Sequence, residues 1–173
     1  GEKICGKQIY ASVINTENIL ALATIPVRRL EFCVAGFKAM KESALSNGYC
    51  LYQEKRRFIS GYHLSPGVYL EKKEQHVYLH SHIQLHKGVI DDVLQWPFKK
   101  KVRFTIKHPT QNKECRNEEV CLDGLENFTR PVDGSNAGIY FFVQGYFSPD
   151  NLEREGYVTN DKLCVVLELI SVN

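Results

Sequence analysis

Residues 88–106 read GVIDDVLQWPFKKKVRFTI, and this stretch decides the fold class. It holds the only tryptophan of the chain, Trp96, which is followed by Pro97 and Phe98 and lies between a short acidic turn and a basic strand. Because Pro97 has a fixed φ and biases the residue before it towards an extended conformation, both aromatic side chains are predicted to sit where a strand begins. Such a block specifies packing and not chemistry.

The sequence around this block alternates between apolar and polar residues with a period of two, which is typical of strands with one buried face. The alternation is clearest over residues 76–86, where one face carries Val77, Leu79, Ile83 and Leu85 and the other carries His76, Tyr78, His80, His82 and His86. Further strands are predicted over residues 30–37, 58–70, 101–107, 139–144 and 162–172, with short helical turns over 89–94 and 148–153. Many short strands without a long helix between them indicate an all-β antiparallel sandwich.

The composition is that of one ordinary globular domain. The chain has 173 residues, of which 43% are apolar and 24% are charged, and its formal net charge is +2. So small a charge argues against a nucleic-acid partner, and no apolar run reaches the roughly 20 residues that insert across a membrane. None of the six cysteines forms a Cys-x-x-Cys pair, so neither a metal site nor another cofactor is predicted. The cysteine pattern favours a cytoplasmic protein without excluding an extracellular one.

The first 29 residues differ from the rest and are predicted to be a helix preceding a sandwich of residues 30–173. Their apolar and small side chains are spaced by four and three residues, which gives the seam Ile9, Val13, Thr16, Leu20, Ala23 and Val27. Pro26 is predicted to close the helix. The helix either packs on its own domain or forms the end of a coiled coil, in which Ile9, Val13 and Leu20 would carry the oligomer contact.

Several motifs resemble, in order, those of the C-terminal domain of the TNF-receptor-associated factors (TRAFs), which belongs to the meprin-and-TRAF homology (MATH) family. They are Gly61-Tyr62-His63-Leu64, Val68-Tyr69-Leu70, Leu94-Gln95-Trp96-Pro97-Phe98, residues 127–132 (NFTRPV) and residues 157–163 (YVTNDKL). The resemblance covers about residues 30–172. It implies an eight-stranded antiparallel β-sandwich that binds an extended peptide along a sheet edge, with a preceding helix that trimerises.

Carried over position by position, the family's peptide groove falls on Tyr69, His82, Phe104, Phe128, Gly138 and Ile139. The resemblance implies that Tyr69 offers a hydroxyl or a ring face to the peptide. It also implies that Phe104, Phe128 and Ile139 form an apolar pocket, and that Gly138 allows the peptide backbone to approach closely.

The chain departs from the receptor-binding TRAFs at four places in this groove, one of which is His82, where the resemblance leads us to expect an aromatic residue. It has Gly67 where they carry an arginine, and Leu-Glu-Asn at residues 125–127 where they carry serines. Lys72 and Lys73 stand where they place acids. These two lysines are therefore predicted to lie at the groove mouth and to favour an acidic peptide, by a few tenths to about 1 kcal/mol each.

Metal binding and catalysis are the other chemistries that the sequence raises. His80 and His82 share a strand face, but they need a third donor from a neighbouring strand to bind zinc, and a polar face open to water is the simpler interpretation. No nucleophile elbow, phosphate loop or His-Glu-x-x-His motif is present, and Ser65, Cys50 and Cys121 have no sequence-local partner that would activate them. The chain is therefore not predicted to be an enzyme.

We therefore predict a homotrimeric adaptor domain whose partner is a linear peptide motif from a receptor tail or signalling protein. Two alternatives stay open. One is the substrate-recruiting domain of a RING-containing ubiquitin ligase, with the ligase activity outside this chain. The other is the interaction domain of a secreted, meprin-like protein, which disulfides or a glycan at Asn127 would favour.

Overall fold

In the part of the chain that the structure describes, two antiparallel sheets pack together and are accompanied by three short helices. The structure is a computed structural model that describes residues 16–116, 120–122, 128–132, 138–141 and 145–172. The strands are β1 (Arg29–Ala35), β2 (Tyr49–Gln53), β3 (Arg57–Ile59), β4 (Tyr62–Lys73), β5 (His76–His86), β6 (Lys101–Lys107), β7 (Glu114–Arg116), β8 (Val120–Cys121), β9 (Ile139–Phe141), β10 (Val158–Thr159) and β11 (Lys162–Ile170). The helices are α1 (16–23), α2 (Phe37–Asn47) and α3 (Pro149–Arg154), with a 3-10 turn at Asp91–Val93.

The eleven described strand segments occupy eight strand positions, because several short segments lie end to end beside one longer strand. The strand order of sheet A is β1, β11, β6, and then β7 together with β8. Strand β10 pairs with the first two residues of β11, on the same side of β11 as β6, which pairs with the residues that follow. Sheet B runs β2 with β3, then β4, β5 and β9. The predicted antiparallel sandwich is confirmed.

The core lies between the inner faces of the two sheets. Alternate residues of the central strands are buried there, among them Leu64, Val68, Leu70, Leu79, Ile83, Val102, Ile106, Leu163, Val165 and Leu167. Burying a side chain of this size stabilises the fold by about 1.5–3 kcal/mol relative to leaving it in water. The predicted alternation over residues 76–86 is confirmed for both faces of the strand, since the apolar side chains face this core and the histidine side chains face outward.

The Trp-Pro-Phe block closes one end of the core. The Trp96 indole N–H donates to the backbone oxygen of Asp91 at 2.8 Å, and the Tyr62 hydroxyl donates to that of Gln95 at 2.8 Å. The ring of Tyr62 meets Trp96 and Phe98 edge-on, at centroid distances of 5.3 and 4.8 Å. The block therefore serves packing, as its composition predicted.

The last turn of α1 and the residues after it are anchored to the turn between β3 and β4. Thr24 Oγ1 accepts from the Gly61 N–H at 3.1 Å, and the Val27 backbone oxygen accepts from the Ser60 N–H at 2.8 Å. Ala21 is fully buried. The described seam residues Thr16, Leu20, Ala23 and Val27 all face solvent, with Leu20 60% exposed. Ile9 and Val13 lie outside the described residues.

One strand prediction is wrong in its extent. A single strand was expected over residues 58–70, but the chain turns at Ser60 and Gly61, which have φ values of 52° and 83°. Gly61 adopts this conformation without the steric cost that a Cβ brings. The turn divides the segment into β3 and β4, which pair with each other.

Candidate functional site

The outer faces of the two sheets differ sharply in charge. In β2, β4 and β5 the only Lys, Arg, Asp or Glu side chains on the outer face of sheet B are Glu71 and Lys73, and they lie 3.8 Å apart. The outer face of sheet A carries seven on β1, β6 and β11, namely Arg29, Glu31, Lys101, Arg103, Lys107, Lys162 and Glu168. Interface cores are depleted in charged residues and enriched in tyrosine, so sheet B is the better candidate for a binding surface.

An aromatic row crosses the outer face of sheet B from one edge to the other. Tyr49 of β2, Tyr69 of β4, His80 of β5 and Tyr146 follow one another with ring-centroid distances of 6.0, 6.2 and 6.5 Å. Tyr78 adds an edge-on contact with Tyr146 at 4.8 Å. Tyr49 and Tyr146 are each 58% exposed, so the row offers large ring surfaces to a partner at its two ends. Burial, followed by the charge of Glu71, raises the pKa of the Tyr69 hydroxyl, which keeps it a neutral donor.

A cluster of amide and imidazole groups lies beside the aromatic row. The Gln53 amide nitrogen donates to Gln84 Oε1 at 2.6 Å and lies 3.3 Å from His82 Nε2. His82 is 1% exposed and lies against Gly67, where a Cβ would come within 3.2 Å of the imidazole and 2.2 Å of the Tyr52 carbonyl oxygen. Backbone and imidazole therefore leave no room for a side chain at position 67.

An imidazole pair, His63 and His86, lies at the far end of the same face, with its ring centroids 5.8 Å apart. The Ser65 hydroxyl lies 2.8 Å from His86 Nε2, and the His63 ring stacks on Phe58 at 4.5 Å. Burial, followed by the nearby positive charge of Arg56, lowers the pKa of His86 to about 4, so its imidazole is neutral at pH 7. Ser65 thus has a partner that the sequence did not reveal, but it is only 3% exposed and is not accessible to a substrate.

Strand β9 forms one edge of sheet B beside this face. One side of β9 pairs with β5 over residues 139–141, and no described strand pairs with its other side. Gly138, with φ of 78°, directly precedes the strand, and its carbonyl accepts from the Leu85 N–H at 2.8 Å. A Cβ at Gly138 would lie 2.6 Å from Leu85 Cβ, so glycine is needed for β9 to pack on its own sheet.

Comparison with known proteins places the chain in a family. The TRAF/meprin MATH domain family matches residues 55–166. The chain belongs to this family. No curated protein matches it. Among solved structures it is similar to TRAF5 of Notothenia coriiceps, with 20% identity and a TM-score of 0.65 over 99% of this chain and 89% of that one. At this identity the likeness shows the fold, and it confirms the TRAF-like sandwich.

Membership of the MATH family makes the chain a protein-interaction domain, since such domains are in general non-catalytic adaptors. None of the described helices is long and apolar enough to cross a membrane. Within the described ranges, no group of three or more His, Cys, Asp or Glu side chains is arranged to hold a metal ion.

The structure of the MATH domain brings together three of the predicted groove residues. Tyr69, His82 and Ile139 lie on the outer face of sheet B, the last beside Gln84. Gly138 lies at the edge of that face, where β9 begins.

The two predicted groove phenylalanines lie elsewhere. Phe104 and Phe128 are each 1% exposed in the core between the sheets. Phe128 packs beside Phe98, with the ring centroids 6.1 Å apart. The expected apolar pocket of Phe104, Phe128 and Ile139 is therefore not assembled on this surface.

The two lysines that were predicted to lie together at the groove mouth occupy different places. The Lys72 amine donates to the Leu45 backbone oxygen at the end of α2, at 3.3 Å, and so turns away from the outer face. Lys73 remains on that face, beside Glu71.

Four residues of the surface were not predicted from the sequence, namely Tyr49, Gln53, Gln84 and Tyr146. Tyr49 and Gln53 alternate with Cys50 and Tyr52 along β2. This alternation is the sequence pattern from which Tyr49 and Gln53 could have been placed on an outer face.

Proposed function

We propose that this MATH domain binds an extended linear peptide, from a receptor tail or signalling protein, along the outer edge of β9. The peptide adds a strand to sheet B, and its side chains contact the outer face of that sheet. The observation that carries the proposal is the aromatic row on a nearly uncharged face, which lies beside an edge strand without a described partner on its outer side. Peptides that bind in this way gain affinity from main-chain hydrogen bonds and specificity from alternate side chains.

The spacing of the strands determines which residues such a peptide would contact. Neighbouring strands lie about 4.8 Å apart, so a peptide beside β9 meets Ile139 first. Its longer side chains reach the next strand, where Gln84 and His82 lie opposite β9. The exposed ring of Tyr146 stands next to this path, and Tyr69 is one strand further away. Rings of this kind are frequent energetic anchors of interfaces.

The charge preference of the peptide rests on a single lysine. Because Lys72 is bonded to α2, only Lys73 faces the binding surface, and it is partly offset by Glu71 at 3.8 Å. A solvated pair of this kind contributes about 0–1 kcal/mol, so we propose a weak preference for acidic peptides. An array of peptides that differ only in charge tests it. Indifference to acidic residues, or a preference for basic ones, would contradict this part of the proposal.

We further propose that the chain forms a homotrimer through the helix that precedes the sandwich. The solvent-facing seam residues of α1 support this, because Leu20 is 60% exposed although it is large and apolar. Three domains on one coiled coil would raise the avidity for a clustered receptor without any new contact. Light scattering on the 173-residue chain should show a trimer that Leu20→Glu weakens and Lys38→Glu, an exposed change on α2, leaves intact. A monomer at all concentrations would overturn the trimer.

The proposed setting is the cytoplasm, because the five described cysteines are free thiols, as is usual in reducing compartments. Mass spectrometry of the protein isolated from cells under alkylating conditions tests this. Reduced cysteines and an unmodified Asn127 are expected, whereas a glycan at Asn127 would place the domain outside the cell.

The binding proposal is tested by selecting peptides from a random library and measuring their affinity for variants of the domain. Tyr146→Ala should weaken a selected peptide by 10-fold or more, on the order of what an aromatic anchor contributes, and Tyr69→Ala, one strand further from the peptide, should weaken it by a smaller factor. Arg103→Ala, on the outer face of sheet A, is the matched control and should change the affinity less than about 2-fold, as expected of a residue outside the interface. Equal affinity of all three variants would refute the proposed surface.

A further inference from the structure

Two cysteine side chains lie in contact on the outer face of sheet A, on the opposite side of the sandwich from the proposed peptide surface. Cys33 of β1 and Cys164 of β11 are directly opposite each other in the antiparallel ladder, and their Sγ atoms are 3.4 Å apart. Opposed residues in such a ladder have Cα atoms about 4.5–5.5 Å apart, which falls inside the range of about 4.4–6.8 Å that disulfides span. The backbone therefore already has the spacing of a bonded pair.

The two thiols are also accessible to a small reagent. Cys33 is exposed and Cys164 is half-buried, and both are free thiols. Lys107 lies opposite Cys164 on β6, and Glu31 lies two residues before Cys33. Burial, followed by the hydrogen bond with Cys33, raises the pKa of the Cys164 thiol. The order of reaction follows from this arrangement, because an external disulfide meets Cys33 first.

We propose that Cys33 and Cys164 form a reversible modification site, at which a low-molecular-weight disulfide such as glutathione disulfide converts the thiol pair into an intramolecular disulfide. The Cys33 thiolate attacks one sulfur of glutathione disulfide, which forms a mixed disulfide and releases one glutathione thiolate. The Cys164 thiolate then attacks the Cys33 sulfur, which forms the Cys33–Cys164 bond and releases the second glutathione. The protein loses two protons and two electrons, and glutathione disulfide takes up both to become two molecules of glutathione.

The new bond would fix the edge strand of sheet A. Strand β1 directly follows the segment that leads from α1, and among the described strands it pairs with β11 alone. The bond joins residues 131 positions apart in the chain, and cross-links that close long loops restrict the unfolded state most. The oxidised protein should therefore have a Tm roughly 5–15 °C above that of the reduced protein. The attachment of the helix to the sandwich would be strengthened together with β1.

The test uses the reduced 173-residue chain, equilibrated in buffers of varied glutathione to glutathione disulfide ratio and then quenched by alkylation. Peptide mapping by mass spectrometry should show a Cys33–Cys164 cross-linked peptide, lighter than the sum of the two reduced peptides by two hydrogen atoms. Cys33→Ser and Cys164→Ser should each abolish it, and Cys121→Ser, at an exposed position outside the pair, should leave it unchanged. The mapping of the unsubstituted chain stands alone if a variant fails to fold.

Two results would overturn the proposal. One is glutathione retained on Cys33 while Cys164 is alkylated, since the second step would then not occur. The other is a cross-link that joins two chains or involves other cysteines in preference to this pair. A Tm that is unchanged or lower after formation of the Cys33–Cys164 bond would contradict the strengthening of β1.

Discussion

Replacing Gly67 by alanine is expected to loosen the edge of sheet B. Gly67 lies in β4, opposite Gln53 of β2. A Cβ there would lie 2.2 Å from the Tyr52 carbonyl oxygen and 3.2 Å from both Gln53 Cα and His82 Cδ2. The nearest atom belongs to the backbone, so a side-chain rotation does not relieve the overlap. Strand β2 must move away from β4.

The size of the effect follows from what that movement costs. Overpacking of a well-packed site costs about 1–3 kcal/mol, and each weakened ladder hydrogen bond adds about 1 kcal/mol. We therefore expect Gly67→Ala to lower the free energy of unfolding by about 3 kcal/mol. With a urea m-value of about 2 kcal/mol/M, the midpoint falls by about 1.5 M. Equilibrium urea denaturation followed by the fluorescence of Trp96 measures this.

The control removes a side chain from the opposite residue without adding an atom near the backbone. Gln53→Ala truncates an exposed side chain and should change the free energy of unfolding by less than about 1 kcal/mol. If Gly67→Ala were as stable as the unsubstituted protein to within about 0.5 kcal/mol, the close approach of β2 to β4 would be refuted.

Three further substitutions test the buried polar groups and the edge strand. Since burial lowers the pKa of His86 to about 4, the unfolded chain binds more protons than the folded one between about pH 6.5 and pH 4, and stability should fall as the pH falls through this window. His86→Gln should flatten that dependence in urea denaturation, while His76→Gln, at an exposed position of β5, should keep it. Burial raises the pKa of the Asp91 carboxyl, so its charged form costs stability above the unfolded pKa. Asp91→Asn should therefore be at least as stable as the parent at pH 7, and the difference should shrink towards pH 4. A loss of more than about 2 kcal/mol at pH 7 would contradict this. Gly138→Ala should destabilise the folded protein by about 2 kcal/mol, because the left-handed φ and the 2.6 Å approach to Leu85 Cβ both disfavour a side chain. Thermal unfolding measures this, and an unchanged Tm would show that β9 does not pack closely against β5.

The strands were predictable where one face of the chain is buried and the other is not. Over residues 76–86 the alternation predicted both faces of β5, because the core accepts only the apolar set. The helical turn near residue 148 was predictable from local chemistry, and Ser148 does accept from the Asn151 N–H at the N-terminus of α3. In such places the local pattern and the tertiary packing agree, which is the condition for a sequence to indicate its structure.

Helix α2 was not predicted because its apolar pattern is weak and the residues at its two ends do not distinguish a helix from a turn. Only Phe37, Met40 and Ala44 are buried along it, which is too narrow an apolar stripe to stand out in eleven residues. Gly36 and Gly48 flank the helix in left-handed conformations, and a glycine after Ser46 and Asn47 is equally typical of a turn between strands. A glycine that ends a helix and one that forms a turn have the same backbone requirement, so the sequence alone did not separate them.

The proposed binding surface was predictable only in part, because family motifs mark positions in the sequence and not which side chains are exposed. Tyr69 and His82 do lie on one face of sheet B, and the register of β4 against β5 explains why they share it. Phe104 alternates with Arg103 and Thr105 along β6, a pattern that already indicated the core for the phenylalanine. Tyr146 joins the surface through a segment with no regular period, so no sequence pattern pointed to it.

Binding of a peptide along β9 is tested most directly by amide chemical-shift mapping of the labelled domain with a library-selected peptide. The largest perturbations should fall on Ile139 in β9, on Gln84 in β5 and on Tyr146, with new protection of β9 amides from hydrogen exchange. Perturbations confined to sheet A, around Arg103 and Glu168, would contradict binding at this edge.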